Sequence, residues 1–200
     1  MFVSGLLKCD AGFCNHMGGG VFVMIDTRIP IVNGDFYLGP LLISHVASWY
    51  EYLTDERVNR YTSWNLQSLA ELEELIHFYN SGSPGGAVRF GVFSASTHEL
   101  VGTVGLHSFS IKDGRAEIAY DVRPDFWRQG IARAACGTLA GLALGKWKLQ
   151  RVQATLLDEN IGSAKVLQRC GFEFEGVMRK YRVLRGVARD YHLYSRVVES

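Results

Sequence analysis

Three apolar, β-rich runs at residues 87–94, 100–107 and 115–122 follow one another across short polar turns, Thr97-His98-Glu99 and Lys112-Asp113-Gly114. Turns this short admit only antiparallel neighbours. Residues 129–145 then carry Ala132, Ala135, Leu139, Leu142 and Ala143 at helical spacing, with Gly145 to close the helix. Residues 151–156 return to strand character. A helix between two strands of one sheet is the crossover that makes them parallel, so the 115 and 151 strands are expected side by side in an otherwise antiparallel sheet.

The remainder of the chain fits round that frame. Residues 21–25 and 36–38 read as short strands, Ser44 as the N-cap of a helix carrying Val46, Trp49, Tyr50 and Leu53, and residues 66–79 as a second helix. Ser163 to Cys170 is a helix ended by Gly171, and two more strands flank Arg185-Gly186. The fold class is therefore α/β (α+β), with a mixed, mostly antiparallel sheet of about seven strands and flanking helices. At 200 residues the chain makes one domain over 21–200, preceded by an extension over 1–20 that is expected to be poorly ordered. A 48% hydrophobic content excludes intrinsic disorder, and a net charge of +1 argues against a polyelectrolyte partner for the whole surface. Cys9, Cys14 and His16 lack a fourth ligand for a zinc site, and four cysteines make no disulfide framework. No metal, no export signal and no membrane span are expected, which suits a reducing cytoplasm.

Chemistry concentrates where the 115 strand hands over to the next helix. Pro124 withholds a ladder N–H, and Gly130 and Ala132 open a helix whose first N–H groups are unpaired and whose dipole end is positive. That is an anion cradle. A second block runs Asp158-Glu159-Asn160-Ile161-Gly162-Ser163 and on through Cys170-Gly171-Phe172 to Glu175-Gly176. Together with Ala116-Glu117-Ile118-Ala119-Tyr120 and Trp127-Arg128-Gln129-Gly130-Ile131-Ala132, it resembles the GNAT superfamily of acetyl-CoA-dependent N-acetyltransferases. Trp127 stands where the family's phosphate motif has Gln or Arg, and this departure is similar to the RimJ/RimL-like subgroup that acetylates ribosomal-protein N-termini. The resemblance covers roughly residues 35–197.

The resemblance implies a splayed parallel strand pair with acetyl-CoA in the opening and no metal. Backbone groups near Val122 would meet the pantetheine. The N–H groups of Arg128, Gln129, Gly130, Ile131, Ala132 and Arg133 would hold the pyrophosphate, with the Arg128 and Arg133 side chains adding charge. Asn160 would position the cofactor, or else simply cap the helix after it. Glu117 would be the general base through water, the alternative being a surface carboxylate facing Arg115 or Arg123; Asp121 is a weaker candidate. The family's usual acid, a tyrosine four residues before Gly171, is Leu167 here. Ser163 would hydrogen-bond the sulfur and Glu175 would handle the amine. Cys136 and Cys170 read as buried, inert thiols.

The acceptor is a primary amine. A protein or peptide N-terminus, as on a ribosomal protein, is the first expectation; a polyamine, amino acid or amine-bearing antibiotic is the alternative. A non-catalytic CoA-binding or RNA-associated module is a third reading. Trp49, Tyr50, Tyr61, Trp64, Phe109 and Tyr181 are candidates for the acceptor wall. The cluster Arg179-Lys180-Tyr181-Arg182, with Arg185 and Arg189, is a local charge excess that suits an acidic protein, RNA, a phosphate or plain solvent. The family also implies a homodimer.

Overall fold

The structure, a computed structural model, describes residues 14–17, 21–24, 28–62, 66–81 and 86–199. Residues 1–13 of the expected N-terminal extension, Cys9 included, lie outside the described residues. Strands β1 (Cys14–Met17) and β2 (Val21–Met24) pair only with each other. The strand expected at residues 21–25 thus forms outside the main sheet. That sheet has eight strands, its additional member being β3 (Ile29–Ile31), too short to show an alternating pattern in the sequence.

The other strands are β4 (Phe36–Pro40), β5 (Val88–Ser94), β6 (Leu100–Ser110), β7 (Arg115–Val122), β8 (Arg151–Leu157), β9 (Glu173–Leu184) and β10 (Val187–Val197). Their order is β3-β4-β5-β6-β7-β8-β10-β9. Every neighbouring pair is antiparallel except β7 and β8, which the crossover helix α4 (Ile131–Gly145) makes parallel. The helices α1 (Val46–Leu53), α2 (Glu56–Asn59), α3 (Leu69–Asn80) and α5 (Ile161–Arg169) complete the domain. Helix α1 starts one residue later than a Ser44 cap would place it, because Ser44 belongs to a 3-10 turn.

Two apolar clusters clamp the sheet. On one face α4 lays Ile131, Ala135, Cys136, Leu139, Ala140 and Ala143 over Val104, Leu106, Ile118, Val152 and Ala154, joined by Leu167 of α5. The alanines let the helix axis approach the strands closely, while Leu139 fills the interval. On the other face α1 and α3 bury Trp49, Leu53, Leu72 and Ile76 against Phe93 and Leu100. Trp49 and Leu72 are wholly buried, and truncating either to alanine costs about 2–5 kcal/mol. These two helices cover the sheet only as far as its middle strands, which leaves the β7 to β10 part of that face for the site. Among the described residues, no helix is long and apolar enough to cross a membrane and no cluster of His, Cys, Asp and Glu could hold a metal.

Candidate active site

The parallel pairing of β7 and β8 is brief. It joins Arg115 to Arg151, Ala116 to Val152 and Glu117 to Gln153, then stops, although β7 continues to Val122 and β8 to Leu157. A notch therefore opens into the sheet from Ile118 upward. Its rims are backbone N–H and C=O groups with no strand across from them, and such groups seek an external partner.

At the open end of the notch the chain turns through Arg128 and Gly130, both left-handed at φ 64° and 80°, into α4. The helix ladder begins with Ala134 N–H donating to the Gly130 carbonyl at 2.9 Å, and no side chain caps the helix. The N–H groups of Ile131, Ala132 and Arg133 precede that first bond and are left to an outside acceptor. Arg128 and Arg133 carry no ion pair among the described residues, whereas the Gln129 amide donates to the Asp125 carbonyl. The departure at Trp127 acquires a physical account: its indole N–H donates to the Val122 carbonyl at 2.6 Å, tying the loop to the end of β7. Val122 thus reaches the notch with its carbonyl already engaged.

Across the notch stands the start of α5. Asn160 caps it, its Oδ1 accepting from the Ser163 N–H at 3.1 Å, which leaves the amide NH2 without a partner among the described residues. The Ser163 carbonyl accepts from the Tyr120 hydroxyl at 3.2 Å, so a β7 phenol bridges to this helix; burial pushes that phenol far up. Leu167, at the family's tyrosine position, is buried in the core.

Glu117 marks the floor of the notch. It is buried, with neither Arg115 nor Arg123 as a partner: its Oε1 accepts from Thr155 Oγ1 at 2.6 Å and from Arg182 at 3.4 Å. Asp121, four residues on, is engaged on all sides. It forms a buried ion pair with Arg89 and accepts from Tyr52 at 2.5 Å and Thr103 at 2.8 Å, which makes it a tie between α1 and the sheet. Glu175 lies toward the closed end of the notch. Arg151 grips both its oxygens at 2.5 and 2.7 Å and Ser195 adds a bond at 2.6 Å, so that its carboxyl is held down to about 2, chiefly by Arg151.

The basic hairpin of β9 and β10 leaves Arg179 and Lys180 exposed but is pinned through three other arginines. Arg182 reaches Glu117, Arg185 donates to the Asn59 carbonyl at 2.9 Å, and Arg189 pairs with Glu159. Beneath it a cavity of about 260 Å³ is lined on one side by Leu75, Phe78 and Tyr79 of α3 and on the other by Arg89, His107, Ala119 and Arg182. His107 does not stand out in the sequence as a site residue, and Arg182 does so only as a member of the basic cluster. Of the expected acceptor wall, Trp49 is core, Tyr181 sits on the hairpin with Arg182 over its ring, and Trp64 lies outside the described residues. Cys136 and Cys170 are buried free thiols, as expected, but the hydrogen bond with Cys136 holds the Cys170 thiol down to about 7, which departs from the inert thiol anticipated there.

An open parallel pair, an uncapped helix start and an αL glycine follow one another along this side of the sheet. Residues 35–173 match the acetyltransferase (GNAT) domain family model. The chain belongs to the GNAT acetyltransferases. A further finding agrees: the uncharacterized N-acetyltransferase YoaA of Bacillus subtilis (strain 168) is 30% identical over 146 residues, 71% of this chain and 81% of the relative. The fold is shared with RimL, the ribosomal L7/L12 alpha-N-protein acetyltransferase solved with coenzyme A (TM-score 0.76, 20% identity, 86% of this chain and 98% of that one). It is shared as well with the microcin C7 self immunity acetyltransferase MccE solved with acetyl-CoA and AMP (TM-score 0.73, 22% identity, 84% and 94% covered). This GNAT protein is accordingly an acetyl-CoA-dependent N-acetyltransferase, with the eight-stranded sheet of that fold.

Proposed function

We propose that this GNAT enzyme acetylates the N-terminal α-amine of a peptide or protein and stands with the RimJ/RimL-like subgroup. The observation that carries the reading is the charge on the face that β7 turns toward the cavity. Both of its carboxylates are already matched, Glu117 by Arg182 and Asp121 by Arg89. A polyamine brings further ammonium groups and would find no unmatched carboxylate on that strand. The kinship of fold with RimL, whose acceptor is a ribosomal protein, supports the same choice.

An α-amine asks little of such a site. With a pKa near 7.8 it is neutral roughly a tenth of the time at pH 7, whereas a lysine near 10.4 is neutral only a few times in ten thousand. Acetyl-CoA supplies the activated acyl group. In this reading the N–H groups of residues 128–133, with Arg128 and Arg133, hold its pyrophosphate, and the open rim of β7 up to Val122 meets the pantetheine. The Asn160 amide orients the thioester and the Ser163 hydroxyl donates to the sulfur. Glu117 draws the amine's proton through water, while Glu175 fixes Arg151 at the closed end of the notch.

Thiol release from acetyl-CoA tests this against three pools: short peptides with free Ser, Ala or Thr N-termini, polyamines, and aminoglycosides. Release with the peptides alone is expected. Release with polyamines alone would assign the small-amine reading, and calorimetric binding without release from any pool would favour a binding module. Glu117→Gln should lower kcat about a hundredfold while acetyl-CoA affinity is retained.

A further inference from the structure

Across the β6 to β7 ladder, the residue directly opposite Glu117 is His107. Opposed residues of an antiparallel pair project to the same face, so both side chains belong to the acceptor side of the sheet, and His107 lines the cavity. Just beyond it the register slips between His107 and Ser110, and Ser108 adopts φ 52°. A non-glycine residue there costs about 1–2 kcal/mol, and bulges of this kind re-aim side chains next to sites. The Ser108 hydroxyl lies 2.9 Å from His107 Nδ1 and fixes the ring.

We propose that His107 is the terminal proton acceptor of the acetyl transfer, taking through Glu117 the proton that the amine loses. The inference rests on placing the acceptor amine in this cavity. As the amine nitrogen bonds to the acetyl carbon, the C–S bond breaks and the thiolate leaves with the electron pair. The amine's proton passes by way of the Glu117 carboxylate to the imidazole, and is later returned to solvent as the thiolate gains one. The groups facing His107 make this workable: Glu117 on β7, Arg89 on β5, Arg182 on β9 and Tyr79 on α3. Burial, with a smaller push from Arg89 and Arg182, lowers its pKa, and Glu117 opposes them. The ring is therefore neutral near pH 7 and ready to accept, and as imidazolium it is drawn to the Glu117 carboxylate.

The test compares pH profiles of kcat/KM for the wild type and His107→Gln, using whichever amine pool supports thiol release. In the wild type the logarithmic slope should be one below the amine's own pKa and steepen toward two below that of His107. In the variant it should stay at one, with kcat reduced about a hundredfold, acetyl-CoA affinity unchanged and partial rescue by added imidazole in His107→Gly. A variant that keeps the steep limb, or keeps wild-type kcat, overturns the proposal. If neither variant folds, histidine NMR of the wild-type chain decides: the His107 resonance must move when acetylated product binds, and an unmoved resonance overturns it. Turnover of polyamines in place of peptides would change the acceptor class, and the slopes would still decide whether His107 takes the proton.

Discussion

At the scale of single residues, three carboxylates within a few strands of each other have been given different work by their neighbours. Asp121 is buried and saturated by Arg89, Tyr52 and Thr103. Asp121→Asn leaves the Arg89 guanidinium buried with its charge unmatched, so thermal or urea unfolding should show a loss of about 3–5 kcal/mol. Glu175 is more exposed and ion-paired, with its folded pKa near 2 against an ordinary 4.5. A depressed carboxylate contributes stability above its unfolded pKa and loses it as protons bind. Its share should therefore be complete above pH 4.5 and disappear as the pH falls toward about 2. Glu175→Gln should flatten acid unfolding in that window while leaving kcat at neutral pH close to wild type. Glu117, held by Thr155 and Arg182 opposite His107, is the one of the three whose loss should be felt in turnover.

Elements carry the cofactor site, and their irregular points matter most. Gly130 sits at φ 80° with no atom within 4 Å of where a Cβ would stand. Substitution there meets backbone strain before it meets a neighbour. Gly130→Val should weaken acetyl-CoA binding by about tenfold, the equivalent of the roughly 1–2 kcal/mol left-handed penalty, measurable by calorimetry. Gly130 as the opening of α4 was legible in the sequence, as were the three-strand meander, the crossover of α4 and the parallel partners it joins. Those features are local, or follow from turn length. The ring of His107 was not legible: its place opposite Glu117 depends on a bulge at Ser108, and the run from Leu100 to His107 reads as an ordinary apolar strand. Nor was the hold of Arg182 on Glu117, 65 residues apart. Long-range pairings of that kind arise from how the hairpin closes over the sheet, which no spacing rule encodes.

For the molecule as a whole, the notch is a place where two halves of one sheet part company, and anything spanning it joins them. Acetyl-CoA should accordingly raise the thermal midpoint in a concentration-dependent way, by about 2.7 kcal/mol in stability when present at a hundred times its Kd. A calorimetric scan showing no shift under those conditions would mean that acetyl-CoA does not bind the folded chain. The sheet that carries this site ends in two dissimilar margins. On one side β3 is three residues long and has Pro30, which offers no N–H, at its centre. On the other, β9 is twelve residues long and exposes Val177 and Val183, but Arg179, Lys180 and Arg182 stand among them and the ladder to β10 slips twice. An approaching strand from another copy of the chain would find too little backbone at the first margin and like charges on a twisted track at the second. Arg182, which lines the cavity under the hairpin, thereby joins Arg179 and Lys180 in discouraging these molecules from stacking edge to edge into fibres.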